Sequence, residues 1–247
     1  MSLGISTILV VPCYNEKQRL DGSAFLDWVG NHDDLSILFV NDGSTDDTAG
    51  VIDALAEKSD RIHTLNLDPN GGKAEAVRRG MLWCGERDYQ VSGYWDADLS
   101  TPLAELPALL DSLIRHNHID VVTGARIKLV GRRIIRNPFR HYSGRAFATA
   151  VSILFGIEMY DTQCGAKLFR NTPDVVEAFK TPFHTKWVFD VELLVRLSLA
   201  GRPIPDRLAE VPLQEWKDVA GTKMKPTDFM KAPLELLRIH LAYFGPS

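Results

Sequence analysis

The sequence predicts an α/β fold: a mostly parallel sheet covered by helices on both faces. Three observations predict it. Short β-branched or apolar runs alternate with longer amphipathic ones through the first half, the rhythm of βαβ units. Polar or glycine-bearing clusters come after three of those runs, at the carboxyl ends of strands where open α/β sheets bind ligands. Hydrophobic residues make up 45% of the 247, enough for a sizeable core without staples.

Strands are expected at Ile5–Val11, Ser36–Val40, His63–Asn66, Val91–Trp95 and Val121–Gly124, each short, apolar and bounded by turn residues. Helices are expected near Asp46–Lys58, Gly72–Cys84 and Leu103–His116. Ser44, Thr45 and Asp46 are cap candidates for the first, and Pro102 suits a helix's first turn. After Gly124 the rhythm breaks. A basic segment is followed by an apolar helix around His141–Phe155, another around Trp187–Ala200, a short strand near Leu208–Val211 and a last helix from Thr227 to Phe244. No internal repeat or low-complexity tract interrupts the chain.

Composition excludes several classes. Cys13, Cys84 and Cys164 form neither an even set nor a C-x-x-C, which disfavours a disulfide scaffold or structural zinc and suits a reducing cytoplasm. A net charge of -4 disfavours a nucleic-acid binder, which needs a positive face. The first apolar run is only a strand's worth before Pro12, so no N-terminal signal is expected. The weakly polar stretch Ala146–Ile157 is far short of the roughly 20 residues that cross a bilayer. Membrane contact would have to be interfacial.

The strand ends carry the chemistry. Asp96-Ala97-Asp98 places two carboxylates on one edge if the chain stays extended, a set suited to Mg²⁺ or Mn²⁺ clamping a diphosphate. A solvated turn is the bland alternative for a bare D-x-D. Asn41-Asp42-Gly43-Ser44-Thr45-Asp46 reads either as a capped strand-to-helix turn or as a base and ribose site at Asp42. Asn70-Gly71-Gly72-Lys73 opens a helix, its glycines permitting close approach and Lys73 reaching toward anionic oxygen; a simple turn is the alternative. No G-x-G-x-x-G or P-loop is present. From Arg126 to Arg145 seven Lys/Arg residues occur with no acid: Arg126, Lys128, Arg132, Arg133, Arg136, Arg140 and Arg145. They read as a solvated face or as a phosphate site, for which guanidinium is well shaped. Asp190 and Glu192 are either helix-start acids or site groups.

Val11-Pro12-Cys13-Tyr14-Asn15-Glu16, Val40 through Asp46, Asn70 through Lys73 and Asp96-Ala97-Asp98, taken in order, resemble family 2 inverting glycosyltransferases of the GT-A, Rossmann-like fold. Asp161 through Phe169, Trp187 through Leu193, and Trp216 through Lys223 resemble the dolichyl- and polyprenyl-phosphate glucosyltransferases and mannosyltransferases among them. The resemblance spans Ile5 to Tyr243. It implies that 1–247 is one glycosyltransferase domain, with a nucleotide-binding half (1–125) and an acceptor-binding half (126–247) that carries interfacial helices. It implies that Pro12, Tyr14, Glu16, Asp42, Lys73 and Asp96 bind the nucleotide sugar, and that Asp96 and Asp98 hold the metal. Catalysis would fall to Asp98, Gln163, Asp190 and Glu192, and phosphate or acceptor binding to Arg126, Arg136, Arg140, Arg145 and Lys223. Two departures stand out: Ala166 occupies a place where an aromatic is common, and no apolar span comes after Phe244.

The reaction expected is displacement of a nucleotide diphosphate from a hexose, UDP-glucose before GDP-mannose, by a polyprenyl phosphate. The setting expected is peripheral, at the cytoplasmic face of a membrane. An ionised phosphate needs no strong base, and the acid-free basic segment answers its repulsion from the diphosphate. A glycan or protein hydroxyl acceptor, with Asp190 or Glu192 as base, is the first rival. A non-catalytic sugar-nucleotide or membrane-surface module is the second.

Overall fold

The computed structural model describes residues 2–219 and 226–245. Nine strands lie among them: β1 (Thr7–Cys13), β2 (Leu35–Asp42), β3 (Ile62–Leu67), β4 (Val91–Trp95), β5 (Val121–Ala125), β6 (Arg133–Ile135), β7 (Ala166–Arg170), β8 (Leu208–Pro212) and β9 (Glu215–Lys217). The helices are α1 (Gly22–Asn31), α2 (Thr48–Ala56), α3 (Lys73–Gly85), α4 (Leu106–Arg115), α5 (Pro138–Phe155), α6 (Pro173–Lys180), α7 (Phe189–Leu199) and α8 (Pro226–Phe244). Seven strands form one sheet in the order β3-β2-β1-β4-β7-β5-β8, and β6 pairs with β9 in a small second sheet.

Alternation along each strand sends side chains to two separate cores. Ile8 and Val10 of β1 pack with Ala76, Val77 and Met81 of α3 and with α6, α7 and α8. Leu9, Val11 and Cys13 pack on the other face with Phe25 and Val29 of α1, Ile52 of α2 and the leucines of α4. Helices on both faces leave the sheet buried, as a mostly parallel sheet requires.

The expected strands and helices are present with ends shifted by a few residues. Five elements were not foreseen: α1, β6, β7, α6 and β9. Helix α2 starts at Thr48 rather than Asp46, since Asp46 Oδ1 takes the Thr48 backbone N–H at 3.0 Å from outside the helix. Strand β7 has the largest consequence. It runs antiparallel to both β4 and β5 and separates them, so a strand from the second half of the chain lies inside the sheet begun by the first.

That insertion leaves no room at its centre. A Cβ at Gly93 of β4 would sit 2.3 Å from the Lys167 carbonyl oxygen of β7. Gly93→Ala should therefore cost about 2–3 kcal/mol, the range of an overpacked core, read as a lowered urea midpoint. A midpoint equal to that of the parent would mean that β7 yields without strain.

Candidate active site

The carboxyl ends of β1, β2 and β4 open into a cavity of about 850 Å³. The loop after β1 contributes Pro12, Tyr14 and Glu16, and β2 ends in Asp42. This loop is braced rather than loose. Asn15 takes a left-handed backbone (φ 51°), and its Oδ1 accepts the Thr45 N–H at 2.8 Å, tying the turns after β1 and β2 together. Asp42 is buried, and both carboxylate oxygens accept from the loop before α3: Gly71 N–H at 2.8 Å, Gly72 N–H at 2.9 Å and Asn70 Nδ2 at 2.9 Å.

Asp96 and Asp98 line the same cavity, though not on an extended edge. Leu99 takes φ 50°, the chain turns, and the Leu99 N–H donates to the Asp96 carbonyl at 3.2 Å. A turn in a sparsely populated conformation aims both carboxylates inward. Each faces a cation: Lys73 Nζ lies 2.5 Å from Asp96, and Arg19 Nη2 3.2 Å from Asp98. Burial would lower the Lys73 ammonium, yet Asp96, with Asp190 and Asp98 behind it, raises it above its ordinary value. Gly165 on the loop before β7 makes room for Asp96, because a Cβ there would fall 1.7 Å from Asp96 Oδ2.

The opposite wall comes from the second half. Arg126 donates through Nε and Nη2 to the two oxygens of Asp161 at 2.5 and 2.7 Å, a bidentate pair. Burial would raise the Asp161 carboxyl, but Arg126 holds it well below its ordinary 3.8. Arg136 lines the cavity too, its guanidinium beside Gly144, and burial followed by the charge of Arg126 lowers it. The two guanidiniums and one carboxylate leave a net positive charge at this lip. Arg145 also lines the cavity, spending Nη1 on the Tyr160 carbonyl at 2.7 Å.

Asp190 at the start of α7 reaches the cavity, and its Oδ1 accepts from Tyr94 Oη and, at 2.6 Å, from Lys167 Nζ. Gln163 lines the cavity, and its Nε2 is shielded from solvent without a hydrogen-bond partner. Beyond these polar groups the lining turns apolar where α5 and α8 pack together: Phe147, Ala150 and Leu154 face Ala232, Pro233 and Leu236.

A family model described as glycosyl transferase family 2 matches residues 8–179. The chain belongs to that family. It is 34% identical to a dolichyl-phosphate beta-glucosyltransferase of Trichomonas vaginalis, over 97% of this chain and 72% of the relative. It is 30% identical to the dolichyl-phosphate beta-glucosyltransferase of Saccharomyces cerevisiae, over 95% of this chain and 74% of the relative. Among solved structures it resembles glucosyl-3-phosphoglycerate synthase of Mycobacterium tuberculosis in complex with Mn²⁺, UDP and glucosyl-3-phosphoglycerate. The TM-score is 0.68 at 18% identity, over 99% of this chain and 82% of that one. That likeness bears on the fold, which is the GT-A arrangement of family 2.

Glu192 is the correction among the site residues. It lies fully buried away from the cavity, accepting from the His184 and Thr185 backbone N–H groups at 3.0 Å each, from Arg196 at 2.8 Å and from Tyr243. Burial, and then this carboxylate, push the Tyr243 hydroxyl up to about 12. The reason is helical: residues two apart diverge by about 200°, so Asp190 and Glu192 cannot share a face. Lys223 lies outside the described residues, as does the Arg140 side chain. Sequence reasoning missed Arg19, Tyr94 and Lys167. Of these only Arg19 carried a signal, three residues beyond Glu16 on the same loop.

Two outcomes test this geometry. Gly165→Ala should keep the fold but weaken nucleotide binding at least tenfold in calorimetry, because Asp96 must move; undiminished binding would detach Asp96 from the site. Stability tests the Arg126–Asp161 pair. A carboxyl with a depressed folded pKa contributes stability that is whole above its unfolded value and lost as pH falls through the folded one. In the intact protein that contribution therefore erodes only below about pH 4. Arg126→Met strands a buried carboxylate and should cost about 3–5 kcal/mol at neutral pH. The loss should shrink toward pH 5 as the carboxyl takes up a proton, and adding Asp161→Asn should recover most of it. Urea melts at both pH values decide; an equal loss at each would mean that the charge pair is not the source.

Proposed function

We propose that this glycosyltransferase moves glucose from UDP-glucose to a polyprenyl or dolichyl phosphate, inverting the anomeric centre. The observation that carries the reading is the two-sided cavity. Its charged side suits a nucleotide diphosphate, its α5–α8 side suits a hydrocarbon chain, and Arg126 and Arg136 line the same cavity. The names of the relatives support the acceptor class and the glucosyl group.

In this reading Pro12, Tyr14, Glu16 and Asp42 hold base and ribose. Asp42 does so partly by fixing the Asn70–Gly72 loop, so that Lys73 opens α3 toward the phosphates. Asp96 and Asp98 fit a divalent ion, Mg²⁺ or Mn²⁺: two carboxylates at one cavity edge leave most of the coordination to phosphate and water. When bound, that ion supplies charge neutralisation for the departing diphosphate. Arg136, with its guanidinium unspent on any described acid, takes the acceptor phosphate beside Arg126 and offsets its repulsion from the donor. Gln163 and Asp190 face the sugar between the two phosphates. Asp190 already accepts from two donors, which suits a group that holds a hydroxyl better than one that removes its proton.

Membrane contact in this reading is peripheral and cytoplasmic. Among the described residues no helix is long and apolar enough to cross a bilayer. Leu234, Leu237 and Leu241 form an exposed stripe on α8, and Ile153 and Leu154 are exposed on α5, the pattern of helices lying in an interface.

Transfer should vanish in EDTA, return with Mn²⁺ or Mg²⁺, and be absent in Asp98→Ala while thermal stability holds; full turnover in EDTA would remove the metal from the scheme. The acceptor is tested by ranking two variants. Arg136→Ala should reduce transfer to a short polyprenyl phosphate by tenfold or more while sparing donor hydrolysis. Asp190→Asn should cost much less than the 10²-fold of a lost general base. The reverse ranking would establish the hydroxyl acceptor instead, and no product with any acceptor would leave a binding module.

A further inference from the structure

Lys167 is the second residue of β7, fully buried, and takes no part in the transfer scheme. An ammonium has three protons to donate and none to spare. Lys167 Nζ places them on Thr162 O at 3.1 Å, Cys164 O at 2.7 Å and Asp190 Oδ1 at 2.6 Å. Its capacity is filled by the protein, so it neither binds a ligand nor shuttles a proton. What it does is mechanical. The two carbonyls are the neighbours of Gln163 on either side, so one buried charge grips the chain around Gln163 and also holds Asp190.

Those two side chains differ in kind. Gln163 offers a shielded N–H donor with no protein acceptor. Asp190 has both its donors on Oδ1, which leaves Oδ2 for the cavity. A donor amide beside an acceptor carboxylate matches a group that both gives and receives a hydrogen bond. A sugar hydroxyl does so. A phosphate oxygen would meet the Asp190 charge with its own.

We infer that Lys167 is a positioning residue that sets Gln163 and Asp190 as one subsite for a hydroxyl of the transferred hexose. This rests on the sugar-nucleotide donor of the proposed function. Lys167 acts through both side chains, so its loss should already contain the loss that Gln163→Ala causes.

A double-mutant cycle reads that dependence. UDP and UDP-glucose are titrated calorimetrically, with Mn²⁺, into the parent protein, Gln163→Ala, Lys167→Met and the double variant. The ratio of their dissociation constants isolates the sugar's share. Gln163→Ala should shift the ratio against UDP-glucose by about tenfold, the loss of roughly one hydrogen bond, and Lys167→Met by at least as much. The double should shift it no further than Lys167→Met, within about twofold, while UDP affinity stays constant. A double shift equal to the product of the two single shifts would make the residues independent and overturn the coupling. So would an unchanged ratio in Lys167→Met. Should Lys167→Met alone fail to fold, the pair Lys167→Met/Asp190→Asn replaces it, which strands neither buried charge, and adding Gln163→Ala to that pair should again shift the ratio no further. A parent protein that binds neither nucleotide overturns the donor reading, and the subsite with it. Binding of both with an additive cycle overturns the subsite alone.

Discussion

Irregular chain folded over a buried floor has backbone N–H groups that neither sheet nor helix satisfies, and each one left unpaired costs about 1–3 kcal/mol. In this protein buried and half-buried carboxylates answer that demand in several loops. Asp42 takes the N–H groups of Gly71 and Gly72, Glu105 those of Gln214 and Glu215, Glu192 those of His184 and Thr185, and Glu235 those of Trp187 and Val188. Glu210 takes those of Tyr160 and Asp161. Each carboxylate reaches across from a different element, so these loops are cross-tied. Acids used this way have a structural duty whatever else they do. Asp96 and Asp190 line the cavity and accept from side chains instead.

The same economy governs the cations. Lys73 and Arg19 face the paired aspartates, while Arg126 is bound into Asp161 by two short bonds. In the proposed scheme Arg126 would therefore act on a phosphate mainly through the field it shares with Arg136, and less through its own donor fork. Arg136 keeps that fork but is desolvated beside a like charge, a state that an arriving anion relieves.

Legibility in the sequence depended on the kind of signal each segment carried. The parallel strands β1 to β5 announce themselves as apolar runs closed by turn residues, and the cleft they converge on was readable from the polar clusters at the ends of β1, β2 and β4. Helices α1 and α6 carried signals that went unread. Asp21 caps α1 through the Ala24 N–H, Phe25 and Val29 repeat at four, and Thr172-Pro173 opens α6 as a cap followed by proline. Strand β7 was not, because Lys167 interrupts a five-residue run and a buried lysine reads as a surface one. Glu192 shows the converse failure. The resemblance placed it beside Asp190, although the helix expected over Trp187–Ala200 already turns residues two apart to different faces. Asp96 and Asp98 came out on one cavity although the extended-chain reason for expecting it did not hold; the turn at Leu99 supplies what the pleat does not.

Strand β7 then carries the functional consequence. The loop that leads into it places the Gly165 carbonyl on the Asp96 N–H at 3.0 Å and leaves space for the Asp96 carboxylate, so the Asp96 side of the cavity is seated on it. Two residues later Lys167 holds Asp190 and the carbonyls flanking Gln163, so the Asp190 side hangs from it as well. Group transfer depends on holding two reactants at near-attack distance, and a misplacement of about 1 Å can cost about 10²-fold. An enzyme whose walls came from separately mobile halves would meet that demand only on closure. Here one antiparallel strand between β4 and β5 sets the spacing when the chain folds, and the sheet's own hydrogen bonds maintain it.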